Sequence, residues 1–187
     1  MSNIAIFASG SGSNAENIVR FFENDPDISI SIIVSNKPDA YVHQRAKKLG
    51  VPSVTFSKSD FDTTSKVLDL MTEHHIDLIV LAGFLIKVPA NLIEAYPHSI
   101  VNIHPALLPK FGGKGMYGDN VHKAVVEAKE TETGITIHHV NSNYDEGDII
   151  FQSKCKIDPN DNPDMVAAKV HELEYEYFPQ IIKGLLK

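Results

Sequence analysis

The sequence predicts a doubly wound α/β fold on a mostly parallel sheet. Short apolar runs alternate with stretches whose apolar residues recur every three or four positions, the runs are apolar on both faces, and a glycine loop joins the first run to the first helical stretch. Ile4 to Ala8 reads as the first strand and runs into Ser9-Gly10-Ser11-Gly12-Ser13-Asn14. Ala15, Ile18, Val19 and Phe22 then mark one buried helix face. Ile28 to Val34 is a second strand, closed by the turn Asn36-Lys37-Pro38-Asp39. A helix from Tyr41 to Leu49 stops at Gly50, a short strand covers Ser53 to Phe56, and helical spacing returns from Ser65 to His74. Asp77 to Ala82 is an aliphatic strand, Pro89 to Tyr96 a short helix with proline near its start, and Ser99 to Ile103 a fifth strand. The last third differs. Ile135 to Val140 and Ile149 to Ile157 flank the polar turn 141–148 and predict an antiparallel pair extending the sheet, and Met165 to Leu186 predicts a long C-terminal helix bent near Pro179.

Composition narrows the function. The chain has 187 residues, 43% of them hydrophobic, enough for one sizeable core. A net charge of −7 with no basic stripe argues against a nucleic-acid partner. The strongly apolar stretch from Leu78 to Ile86 is far short of the roughly 20 residues that cross a bilayer. No cationic leader precedes the first strand, so a cytoplasmic location is expected, where the single Cys155 needs no disulfide. Asp158, Asp161 and Asp164, interleaved with prolines, read as an exposed turn. Lys110, Lys114 and Lys123 either steer anionic substrates or form a solvated face.

Gly10-Ser11-Gly12-Ser13-Asn14-Ala15 fits G-x-G-x-x-A between a strand and a helix, where backbone N–H groups and the helix end attract an anion. The second strand ends Ser35-Asn36-Lys37 rather than in the acidic residue that a dinucleotide ribose requires, so a single phosphate is the better guest. The plainer alternative is a tight turn in which Asn14 caps the helix. The fifth strand ends Val101-Asn102-Ile103-His104-Pro105. Period-two alternation puts Asn102 and His104 on one face at the carboxyl end of a parallel strand, where open α/β sheets bind ligands. An amide beside an imidazole holds an oxyanion and moves protons, which suits acyl transfer without a covalent nucleophile. For either residue taken singly, a capping amide or a satisfied core histidine is the favoured reading. Neither His74-His75 nor His138-His139 has a second ligand cluster at suitable spacing, so no metal is expected.

Asn102-Ile103-His104-Pro105-Ala106-Leu107-Leu108-Pro109 resembles the signature of the folate-dependent formyltransferases, and Asp145-Glu146-Gly147-Asp148-Ile149-Ile150 resembles their aspartate turn. With Gly10 to Asn14 and Leu81-Ala82-Gly83-Phe84, the resemblance runs the whole chain and points to the branch that formylates glycinamide ribonucleotide. It implies 10-formyltetrahydrofolate as co-substrate and no metal. It further implies one domain over 1–187, with a phosphate-binding half of about 1–100 and a catalytic, folate-binding half of about 101–187. Carried over by position, Asn102 donates to the formyl oxygen, His104 stabilises the tetrahedral oxyanion, and Asp145 keeps His104 charged. Gly10, Gly12, Ser13 and Asn14 grip the acceptor's phosphate, and Glu174 takes its ribose hydroxyls. His171 stands where an amide or longer basic side chain often helps hold the phosphate, and a protonated histidine there makes acceptor affinity fall as pH rises. Leu85, Ile86, Lys87, Val88, Asn102, His138, Asn141 and Tyr144 are the implied folate contacts. The loop 111–117 departs from the commoner family pattern. The implied partners are small molecules, with no nucleic acid and no membrane, on a monomer or homodimer. A formyl-folate hydrolase, a sugar-amine formyltransferase and a non-catalytic nucleotide-binding module are the competing readings.

Overall fold

A computed structural model of the chain describes residues 1–186; Lys187, the end of the expected 1–187 domain, lies outside the described residues. The chain divides into two compact units, residues 1–101 with Leu186, and residues 102–185. The strands form a mixed, mostly parallel sheet with an antiparallel C-terminal pair, as the alternation of elements predicts.

The first unit contains β1 (Ser2–Phe7), α1 (Ser13–Phe22), β2 (Ile28–Ser35), α2 (Val42–Leu49), β3 (Ser53–Thr55), α3 (Lys58–Thr63), α4 (Lys66–Glu73), β4 (Leu78–Leu81) and α5 (Ala90–Ala95). Its strands lie in the order β3-β2-β1-β4, all parallel. The order reverses direction at β1. Right-handed crossovers, the rule for parallel strands, put α1 and α2 on one face and the α3–α4 connection on the other. The loops after β1 and β4 therefore share the switch point where such sheets bind ligands. Helix α1 buries Ala15, Ile18, Val19 and Phe22, the four residues its spacing selects. Helix α2 ends where Gly50 takes a left-handed φ of 71°. Helix α3 is not expected from hydrophobic spacing, because it buries only Phe61. What starts it is a capping box, Ser57 and Asp60 bonding each other's backbone N–H. Phe61 meets Phe7 and Phe84 with ring centroids 6.0 and 5.2 Å away.

In the second unit β5 (Ile100–His104), which crosses the division, is followed by α6 (Asp119–Glu127), β6 (Glu132–His139), β7 (Ile149–Lys156) and α7 (Pro163–Leu185). The order is β5-β6-β7, with β6 and β7 antiparallel. Their register shifts between Ile137 and His138, a bulge that turns the strand end where His138 stands. Helix α7 runs through Pro179 and buries Val166, Val170, Glu174, Phe178 and Ile182. Helix α6 is absent from the sequence expectation. It buries Val121, His122 and Val125. One further expectation needs correction. Asp161 is buried, and with Asp158 it holds the Lys169 ammonium at 2.5 and 2.7 Å, so this turn clamps the start of α7 rather than merely facing solvent. Among the described residues, no helix is long and apolar enough to cross a membrane.

Candidate active site

In the second unit the end of β5, the end of β6 and the turn after it converge. His104 is 3% exposed, and its Nε2–H donates to the Phe111 carbonyl at 2.8 Å. Because Nε2 is committed to a carbonyl, Nδ1 is the atom that gains and loses a proton. It lies 3.6 Å from Asp145 Oδ2. Asp145 Oδ1 lies 3.6 Å from Nε2 of His138, and Oδ2 also accepts the Gly113 N–H at 2.9 Å. His138 donates from Nδ1 to the His139 carbonyl at 2.8 Å, leaving Nε2 as acceptor for the Asn102 amide at 3.1 Å. Asn102, His104, His138 and Asp145 thus form one network.

The electrostatics refine the expectation. Burial pushes the His104 imidazole below the ordinary histidine value, outweighing the upward pull of Asp145 and the Phe111 carbonyl. Asp145 was expected to keep His104 charged. The pull is there, but in the free protein desolvation wins. Burial pushes the Asp145 carboxyl up, yet a proton on the facing nitrogen of His138 or of His104, with the Gly113 N–H, holds it below the usual carboxylate range. A charged carboxylate therefore faces a mostly neutral imidazole.

The backbone around this network is shaped by the loop 111–117. Phe111 and Asp145 have φ of 56°, the left-handed region that side chains avoid. Phe111 is held there because its ring packs, with Met116, on the cluster of Ala106, Val121 and Val125. That aims its carbonyl at His104. Gly112 permits the close approach of loop and turn: a Cβ there would stand 2.5 Å from Leu108 Cδ2 and 3.3 Å from the Asp145 Cβ. The segment after His104 is pinned to the sheet by Thr136, which receives the Leu108 N–H at 3.0 Å and donates to the Ala106 carbonyl at 2.7 Å. Leu108, Pro109, Asp145, Glu146, Gly147 and Ile149 line a cavity of about 270 Å³ beside Asp145.

On α7, His171 Nδ1 meets the buried Glu174 carboxylate at 2.8 Å, and this bond holds the imidazole above the ordinary value. His122 of α6 lies against them, its ring 6.3 Å from that of His171. It is 2% exposed, burial pushes it down, and its Nδ1 has no hydrogen-bond partner in the described structure. The sequence reading missed His122 together with its helix; Val121 and Val125 at helical spacing were the available signal. Asn141 is exposed and accepts the N–H of Asn143, and Tyr144 is 42% exposed. Cys155 is half-buried, and burial pushes its thiol up.

In the first unit, helix α1 begins at Ser13 with Gly12 as its N-cap and no side-chain cap, so Asn14 is not the capping residue of the plainer alternative. Gly10 is exposed, Gly12 buried, and Ser13 and Asn14 half-buried. In the segment after β4, Leu85 is 40% exposed and donates its N–H to Ser9 Oγ at 2.9 Å. Ile86 is half-buried, Lys87 exposed and Val88 buried.

Comparison with known proteins adds to this geometry. The family described as formyl transferase matches residues 2–182. A chloroplastic phosphoribosylglycinamide formyltransferase of Arabidopsis thaliana is 39% identical over 97% of this chain, which spans 64% of that protein's length. The phosphoribosylglycinamide formyltransferase of Bacillus subtilis is 36% identical over 100% of this chain and 95% of its own length. The crystal structure of the Streptococcus pneumoniae protein of the same description superposes with a TM-score of 0.88 at 36% identity, covering 100% of both chains.

Proposed function

The chain belongs to the formyl transferase family, among the phosphoribosylglycinamide formyltransferases, and from that premise we infer that it moves the formyl group of 10-formyltetrahydrofolate to the primary amine of glycinamide ribonucleotide in purine biosynthesis. The observation that carries this reading is the network of Asn102, His104, His138 and Asp145, which suits transfer of an acyl group without a covalent enzyme intermediate. The substrate amine attacks the formyl carbon and a tetrahedral oxyanion forms. Asn102 has a second amide N–H for that oxygen, its first being given to His138. The amine's proton passes to Nδ1 of His104. Asp145, 3.6 Å away, stabilises the imidazolium so formed. The bond from carbon to N10 then breaks, and the same Nδ1 proton goes to the departing nitrogen. Burial keeps the resting imidazole neutral, so the interaction with Asp145 strengthens as the imidazolium forms. That favours the transition state over the ground state.

The finer assignments belong to the same reading. The loop of Gly10, Gly12, Ser13 and Asn14 takes the acceptor's phosphate, Glu174 its ribose hydroxyls, and His171, paired with Glu174, helps hold the phosphate when protonated. Leu85, Ile86, Lys87 and Val88, with Asn102, His138, Asn141 and Tyr144, contact the folate. Residues 1–187 are read as a single formyltransferase domain, working in the cytoplasm on small-molecule substrates and without a metal. The test is to mix the protein with 10-formyltetrahydrofolate and glycinamide ribonucleotide and follow the absorbance of the released folate. Acceptor-dependent turnover is expected. Turnover without acceptor would mean a hydrolase, and none under either condition would mean a binding module.

A further inference from the structure

A loop that binds an anion through its N–H groups must turn its carbonyls elsewhere, because a carbonyl oxygen facing the anion would repel it. In the first unit two carbonyls of the glycine loop are drawn to α2, while that of Gly12 accepts the Glu16 N–H of α1 at 2.9 Å. The Gly10 carbonyl accepts the Val42 N–H at 3.2 Å, satisfying a free donor in the first turn of that helix. The Ser11 carbonyl accepts Nε–H of Arg45 at 2.8 Å. Gly12 fits against the same helix: a Cβ there would lie 2.4 Å from Cγ2 of Val42. The Arg45 guanidinium is fixed on two further sides, by an ion pair with Glu16 and by the Tyr41 ring, 5.1 Å from its centre.

Glu16 makes this arrangement consequential. It stands in the first turn of α1, where its negative charge would offset the helix end's attraction for an anion. Arg20 and Arg45 both bond it and hold its carboxyl low. Of the two, Arg45 is the one that also touches the loop.

We propose that Arg45 is a positioning residue for the acceptor's phosphate: through Ser11 it orients the loop's N–H groups, and through Glu16 it cancels the charge that would oppose the anion. This rests on the reading that the Gly10–Asn14 loop receives that phosphate. The residue touches no reacting atom, so its removal shows in acceptor binding rather than in the chemical step.

The experiment measures kcat and both Michaelis constants for Arg45→Gln, Arg45→Lys, Glu16→Gln, the Glu16→Gln/Arg45→Gln double variant and Ser13→Ala. Arg45→Gln is expected to raise KM for glycinamide ribonucleotide about tenfold or more, with kcat and the folate KM within about twofold of the parent. It is also expected to lose the thermal protection that inorganic phosphate gives the parent. Arg45→Lys keeps the charge and recovers part of the loss. The double variant restores charge balance without the Ser11 bond and is expected to stay weak for the acceptor. Should it bind like the parent, charge cancellation alone is at work and the positioning role is overturned. Equal losses in both Michaelis constants, or a kcat loss of similar size, would mean general disruption and also overturn it. If Arg45→Gln does not fold, Arg45→Lys carries the measurement: parental acceptor KM and phosphate protection in that variant would overturn the need for the guanidinium bond. If Ser13→Ala weakens the acceptor while Arg45→Gln does not, Arg45 is excluded and the loop assignment stands. If neither moves the acceptor KM, the proposal is overturned, and if inorganic phosphate also gives the parent no thermal protection, the loop assignment itself falls.

Discussion

The turn after β1 and the turn after β6 are built from different material. The first is small residues held against α2, and what it offers is backbone N–H at a helix end. The second presents a side chain, Asp145, from a strained left-handed residue, and brackets it with His104, His138 and the Gly113 N–H. A site that must bind the same charge throughout the reaction is well served by fixed dipoles. A site where charge appears and disappears needs a group that titrates, and burial sets its resting state. The contrast predicts that damage to the second turn appears in kcat and damage to the first in KM for the acceptor.

The largest effect tests the second half of that contrast. Asp145→Asn removes charge and little volume, and should lower kcat about 1,000-fold while leaving the thermal midpoint nearly unchanged. A variant keeping most of its rate would remove Asp145 from the chemistry. Next is Gly112→Ala, whose new methyl must displace the Leu108 side chain and presses on Asp145 at its Cβ. A displacement of about 1 Å should cost 10- to 100-fold in kcat with substrate binding largely kept, measurable by the same assay. For the first turn, Gly12→Ala should strain a left-handed residue and push on Val42, destabilising by about 1–3 kcal/mol. Its KM for the acceptor should rise more than its kcat falls; the reverse pattern would erase the distinction between the turns.

The smallest effect concerns pH. Glu174 raises the His171 pKa, with Asp119 adding to it and burial opposing. A raised histidine is charged below its unfolded value near 6.5, and loses that charge as pH rises through the higher folded value. The stability it contributes is therefore fully present on the acid side of that window and lost on the basic side. Acceptor KM should follow, rising a few-fold from mildly acidic to mildly basic pH in the parent and staying flat in His171→Gln. Identical profiles in the two proteins would dissociate His171 from the acceptor.

Elements that bury a regular apolar face were legible in the sequence: α1 down to its four buried residues, the aliphatic β4, and the antiparallel β6–β7 pair. Helices α3 and α6 were not, since the first buries a single residue and the second follows a glycine-rich run that reads as loop. Of the candidate site, the gathering of Asn102, His104 and Asp145 was legible because side chains leave a mark in residue identity. The Phe111 carbonyl, the Gly113 N–H and the bond from Arg45 to Ser11 left none, because peptide groups are the same at every position. The charge of His104 was misjudged for a related reason. Its neighbouring carboxylate is visible as Asp145, whereas the depth of its burial depends on the packed fold.

The Gly113 amide gives this a practical edge. A systematic alanine scan through residues 111–113 would leave that hydrogen in place at every step and would report side-chain fit instead. Converting the peptide link at Gly113 to an ester by chemical synthesis deletes the single hydrogen that Asp145 Oδ2 receives there, with the side chains unchanged. A drop in rate after that one-atom change would register a contribution that conventional mutagenesis is built to overlook.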